Sequence, residues 1–123
     1  MYPSDAKYTK DHEWIRIAGA EATVGITDYA HKQLGDVVYV DLPEIGKSFA
    51  QGEVFGTIES VKAVSELFTP MAGEVVAVNA ELAQHPERVN TDPHGSWMVR
   101  LRLSNAAEAA GLLDSAQYLD LVK

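Results

Sequence analysis

The chain has 123 residues, no cysteine, and 18 acidic against 10 basic side chains, for a formal net charge of −8. That length suits one domain, able to bury about two-thirds of its unfolded surface. The lack of cysteine excludes disulfides, thiolate nucleophiles and cysteine-ligated metals, so sulfur redox chemistry would need an attached group; the acidic balance argues against nucleic acid, because no basic stripe is there to neutralise phosphates.

The opening Met1-Tyr2-Pro3-Ser4-Asp5 shows neither the basic-then-apolar pattern of a signal peptide nor an Arg-rich transit pattern. The expectation is a cytoplasmic protein, with a processed organellar protein as the alternative. No run of about 18 apolar residues follows, so no membrane-spanning segment is expected. The acidic residues are scattered. They read as a source of solubility, and alternatively as a field steering the protein toward basic partner surfaces.

The first two-thirds reads as β. Strands are expected over 14–17 and 22–26, joined by Ala18-Gly19-Ala20. Thr27-Asp28 offers N-cap chemistry for a short helix to Leu34, and Gly35 stops it. Residues 37–42 are rich in β-branched and aromatic side chains and end at Pro43. The turn formers over 43–52 predict a loop. Next come a strand over 54–60, a tight turn at Val61-Lys62, and a return strand over 63–68. Neither arm alternates cleanly, so the assignment rests on β-propensity and on the flanking Gly52 and Pro70.

A turn over 70–73 leads to a strand over 74–79. Gly52-Glu53-Val54 and Gly73-Glu74-Val75 make a faint echo, too short to establish a repeat. Residues 79–96 read as a loop holding one helical turn, and 97–103 as a strand. Ser104 is the expected cap of a helix over 105–113, with a second helical piece over 115–122. The expected fold is all-β, a sandwich-like flattened barrel with short helices, one of them C-terminal. It forms a single domain over 1–123, with a helical segment at about 104–123.

His12, His31, His85 and His94 lack the HxxxH and HExxH spacings, so no metal site is expected. His12-Glu13 would suit acid/base work, but neighbours on a strand point to opposite faces. No nucleophile elbow, GxGxxG or P-loop occurs. What stands out is Lys62. A lysine at a turn is ordinarily a solvated surface residue, yet this one sits at the centre of a hairpin, with no other basic residue between Lys47 and Arg88. A lysine meant for covalent acylation should stand proud of the fold, so that a modifying enzyme can reach it and the attached arm can sweep.

Glu59-Ser60-Val61-Lys62-Ala63-Val64-Ser65 resembles the lipoyl-attachment motif of the H protein of the glycine cleavage system. Other segments resemble the family in the same order: Lys10-Asp11-His12-Glu13-Trp14, Val24 through Ala30, Leu34-Gly35-Asp36, Leu42 through Gly46, Pro70 through Val75, Val89-Asn90, Asp92-Pro93 and Gly95-Ser96-Trp97. They cover most of 8–103. Two departures are Val64 with Met71-Ala72, where small polar residues are usual, and His94, where an aromatic is usual.

The resemblance implies a hybrid sandwich-like barrel related to lipoyl and biotinyl carrier domains, with lipoate attached to Lys62 as an ε-amide. It implies that Glu59 and Gly73 are sensed by a lipoylating enzyme, although Gly73 also reads as a turn glycine needing φ > 0. It further implies a non-catalytic carrier in glycine catabolism and one-carbon metabolism. The aminomethyl group would pass from glycine decarboxylase (P protein) to aminomethyltransferase (T protein), and dihydrolipoamide dehydrogenase (L protein) would reoxidise the swinging arm. Glu13 and, second, Glu66 are candidates to shelter the amine of the loaded arm, with Trp14 covering it; the plain alternative is a solvated Glu13 beside a core Trp14. A lipoyl domain of another multienzyme system usually shows Asp before the lysine, where Val61 stands here, and a biotin carrier would show flanking methionines. A lipoyl-relay protein and an unmodified binding module stay open at this point.

Overall fold

The computed structural model describes residues 2–123. Three short strands precede the first helix, the first of them β1 (Lys7–Tyr8). Strand β2 (Glu13–Ala18) pairs antiparallel with β3 (Glu21–Ile26), and Ile15 lies opposite Val24 in the core. Helix α1 (Asp28–Leu34) has both of its expected ends: Thr27 Oγ1 accepts from the Ala30 amide, and Gly35 terminates the helix at φ +81°. Strands β4 (Val37–Asp41), β6 (Val54–Ser60) and β7 (Val64–Phe68) form a three-stranded sheet in the order β4-β6-β7.

The second sheet has six strands. To β2 and β3 it adds β1 (Lys7–Tyr8), β5 (Ser48–Phe49), β8 (Gly73–Val78) and β9 (Val99–Leu103), in the order β1-β2-β3-β9-β8-β5. The two sheets pack face to face and do not close into a barrel, so the sandwich half of the expectation describes the molecule and the barrel half does not. One core draws on both sheets, through Ile15, Val24 and Leu101 on one side and Ile58 and Leu67 on the other. A second, aromatic cluster joins Tyr8 and Trp14 to Tyr118 of helix α4 (Ser115–Val122). There the Tyr8 and Tyr118 rings stack at 4.8 Å between centroids.

Several expectations change. The loop over 43–52 contains β5, whose two residues pair with Glu74 and Gly73; a pair that short carries no period. The same holds for β1. The stretch 79–96 holds two helical pieces, α2 (Ala80–Gln84) and α3 (Arg88–Thr91). The helix expected over 105–113 is a 3-10 helix, Ala106–Gly111, and its cap is Asn105, not Ser104. Glu108 within it accepts from the Ala72 amide, which ties this short segment to the sheet. Gly52 sits at φ +84° and Gly73 does not share that conformation, so the Gly-Glu-Val echo is not a structural repeat. The two family departures also find places. Met71 is fully buried in the core, and His94 Nε2 accepts from the Asp28 amide at the start of α1.

Candidate functional site

The β6–β7 turn is built by Ser60. Its amide donates to Ala63 O at 2.8 Å, while its Oγ accepts from the amides of Lys62 and Ala63. One side chain therefore satisfies the turn's inward N–H groups and leaves Val61, Lys62 and Ala63 exposed. The tip is braced from the side, because the Val61 amide donates to Asp36 O at 3.0 Å. The Lys62 stem runs past the end of α1: a Cβ built on Gly35 would stand 3.6 Å from Lys62 Cε. None of the ion pairs among the described residues includes Lys62. Its amine is available for acylation.

Glu59 lies two strand positions before the exposed tip. In register it stands between Tyr39 of β4 and Val64 of β7, both exposed. Gly73 is elsewhere. It is buried in β8 opposite Leu103, and it is not a φ > 0 turn residue. Its requirement is space: a Cβ there would lie 2.7 Å from the carbonyl oxygen of Arg102 and 3.2 Å from Leu101 Cβ. Gly73→Ala is therefore expected to cost about 1–3 kcal/mol by overpacking against backbone that cannot yield. Urea unfolding checks this, and an unchanged midpoint would contradict it.

Behind the hairpin lies a cleft of about 160 Å³ between α1, the turn over 9–13 and the inner side of β6–β7. Both arm-sheltering candidates, Glu13 and Glu66, line it, as do the apolar Leu34, Ile58 and Leu67. Leu34 is followed directly by Gly35, past which the Lys62 stem runs, so the cleft lies beside the path of the lysine. A larger open hollow of about 530 Å³ lies between Tyr2–Ser4 and α4, but its lining includes neither Lys62 nor any carboxylate.

Glu13 is only 2% exposed. Thr9 Oγ1 donates to Oε1 at 2.6 Å and the Phe68 amide to Oε2 at 3.2 Å, so the carboxyl is clamped between the N-terminal turn and β7. Burial pushes its pKa up to about 8, against the lowering effect of those two hydrogen bonds. The native state thus keeps a proton that the unfolded chain loses above about pH 4.5. Stability attributable to Glu13 should fall as pH rises between those two values, by up to about 1.4 kcal/mol per pH unit, and level off above the upper one. Glu13→Gln should flatten that slope in urea unfolding measured across the window.

His12 and Glu13 share this cleft, contrary to the expectation that they face apart. His12 precedes β2 and has φ +70°, and it belongs to a turn in which its amide donates to Thr9 O while Thr9 N donates to Glu13 O. The alternation rule for strands does not reach it. Sequence reasoning missed His12, Asp11 and Gln33 as lining residues. No local signal marks them, since the cleft exists only once α1 and the hairpin have packed.

Comparison with known proteins follows the same geometry. A family model described as glycine cleavage H-protein matches residues 6–123. The glycine cleavage system H protein of Acidobacterium capsulatum is 53% identical over 122 residues, covering 99% of this chain and 95% of that one. Its counterpart in Rubrobacter xylanophilus is 56% identical over 117 residues, with 94% and 90% covered. A crystal structure of a glycine cleavage system H protein from Mycobacterium marinum superposes with a TM-score of 0.88 at 40% identity, covering 97% of each chain. With the hairpin lysine, the two-sheet sandwich and a match that runs nearly from end to end, the chain belongs to the glycine cleavage H-protein family.

Proposed function

We propose that this chain carries lipoate as an amide on Lys62 and serves, without catalysing a reaction itself, as the substrate shared by glycine decarboxylase, aminomethyltransferase and dihydrolipoamide dehydrogenase. The observation that carries this reading is an exposed lysine, in no ion pair among the described residues, on a braced hairpin tip beside a cleft containing a buried carboxyl. Bound lipoate supplies the redox-active disulfide that a cysteine-free chain lacks, and the attachment point for an aminomethyl cargo. The test is intact-mass measurement after co-expression with a lipoylating enzyme, followed by glycine-dependent CO₂ exchange with the decarboxylase.

The chain's own residues present and protect the arm. The Ser60 turn holds Lys62 outward and keeps the tip from collapsing onto the sheet. Glu13 accepts the ammonium of the cargo, and its bonds from Thr9 and the Phe68 amide fix the direction of the carboxylate. A nearby cation favours the ionised carboxyl, so Glu13 gives up its proton as the ammonium arrives. Glu66 stands exposed at the rim, and Leu34, Ile58 and Leu67 exclude water from the rest of the arm. Glu59, on the outer face beside the tip, is the side chain a lipoylating enzyme reads. Gly73 supports recognition through the fold, by letting β8 and β9 approach.

The net charge of −8 is the basis for steered docking. Association rates with the partner enzymes should fall as salt shortens the Debye length from about 10 Å at 0.1 M to about 3 Å near 1 M. Stopped-flow rates independent of salt for all three enzymes would contradict the steering role.

A further inference from the structure

The C-terminal helix reaches the turn that bears Glu13. The Tyr118 hydroxyl, on α4, lies 2.8 Å from His12 Nδ1 and 2.7 Å from Thr27 Oγ1. Tyr118 and Thr27 are both fully buried, so water does not enter their hydrogen-bond count. That count fixes the direction of the chain. Thr27 Oγ1 already accepts from the Ala30 amide, and among the described residues its own proton has no acceptor other than Tyr118. If Tyr118 donated to Thr27, the threonine proton would be stranded in the interior, at a cost of about 1–3 kcal/mol. With Thr27 donating to Tyr118, and Tyr118 to His12 Nδ1, every group is satisfied.

An imidazole that accepts at Nδ1 while neutral carries its proton on Nε2. Nε2 of His12 has no partner among the described residues, and His12, whose ring packs on Tyr29 at 4.5 Å between centroids, is one of the residues lining the Glu13 cleft. Burial lowers the His12 pKa, against the raising effect of Asp11, which keeps the ring neutral near pH 7. The backbone of His12 is itself set in the left-handed region, with its carbonyl held by the Thr27 amide at 3.0 Å.

We propose that Tyr118 is a positioning residue of the cleft: through His12 it holds one imidazole tautomer and aims an Nε2–H donor at the carbonyl or sulfur acceptors of the arm lying there. This rests on the reading of the cleft as the shelter of the loaded arm. Helix α4 is then part of the sheltering device, and Glu13 and His12 divide the work. The carboxylate holds the cationic end of the arm, and the imidazole holds an acceptor along its length.

The tautomer is readable without any substitution. Two-bond ¹⁵N–¹H spectra of the histidine-labelled full chain should show His12 protonated at Nε2; protonation at Nδ1, or an even mixture, overturns the proposal. Tyr118→Phe keeps the ring that stacks on Tyr8 and removes the hydroxyl, so it should shift His12 to a mixture of tautomers. His12→Asn is the complementary variant. Its side-chain oxygen still accepts from Tyr118 and asparagine tolerates φ > 0, but its NH₂ takes the place of imidazole Cδ2 and leaves no donor at the Nε2 position. Lipoylated protein loaded with the aminomethyl group should release ammonia about fivefold faster in both variants, the size of one neutral hydrogen bond. A merely structural role for Tyr118 would leave His12→Asn at the wild-type rate, which would overturn the proposal. Glu13→Gln separates the two ways of failing. Faster release there with wild-type release in His12→Asn overturns the His12 donor alone, whereas wild-type release in all three variants overturns the sheltering cleft and this inference with it.

Discussion

Lys62→Arg should eliminate lipoyl attachment and carrier activity while leaving the fold intact. Arginine keeps the positive charge and the long stem at an exposed position, so stability should change by no more than about 0.5 kcal/mol. Its guanidinium stays protonated and does not form the amide. Nothing in the turn depends on the lysine head group, because the hydrogen bonds there run through Ser60 and the backbone. Expressed with a lipoylating enzyme, the variant should keep its unmodified mass and show no glycine-dependent exchange with the decarboxylase. A lipoyl mass on the arginine variant would mean that another lysine is the attachment site.

Glu13→Gln should have the second large effect. Glutamine is isosteric and can still meet Thr9 and the Phe68 amide, so the cleft should keep its shape. What disappears is the negative charge facing the ammonium. A hydrogen bond to a charged group is worth about 1.5–3 kcal/mol, which corresponds to release of ammonia from the loaded arm about ten- to a hundredfold faster in the variant. The measurement is spontaneous release without partner enzymes, wild type against variant. Equal rates would show that Glu13 does not hold the arm, and Glu66→Gln would then be the comparison to make. The same substitution should remove the fall in stability between about pH 4.5 and about 8, so one variant addresses both the chemistry of the cleft and its electrostatic cost.

On the proposed reading, Glu13 lies where function and stability pull apart. A buried carboxyl raised to about 8 is less favourable to the native state at neutral pH than an apolar residue of the same size would be. Its retention in a core position makes sense if the cleft must receive a cation. Lys62 shows the opposite arrangement: it costs the fold nothing because it is held away from it. Carrier proteins need both, a free end to be reached and a sheltered place for the cargo to wait.

Residues near one another in the chain made much of this legible. Strand β6 and helix α1 have the boundaries expected of them, because β-propensity, turn formers and both helix caps act over a few residues. The hairpin with Lys62 at its centre follows from the same local chemistry. The two-residue strands β1 and β5 carried no such signal, since each is a strand only by virtue of its partner. Gly73 was misread as a turn glycine because the atom that forbids a side chain there, Arg102 O, belongs to a distant strand. His12 and Glu13 were placed on opposite faces by a rule for strands that a positive φ suspends. Tyr118, 106 residues from His12, had no signature at all. The sequence by itself determined the longer strands, helix α1 and the exposed lysine, because those depend on short-range backbone preferences; only the tertiary structure decided the two-residue strands, the open pair of sheets, the cleft and the groups that line it, because pairing, burial, pKa and hydrogen-bond partners arise from contacts between segments that meet only in the folded chain.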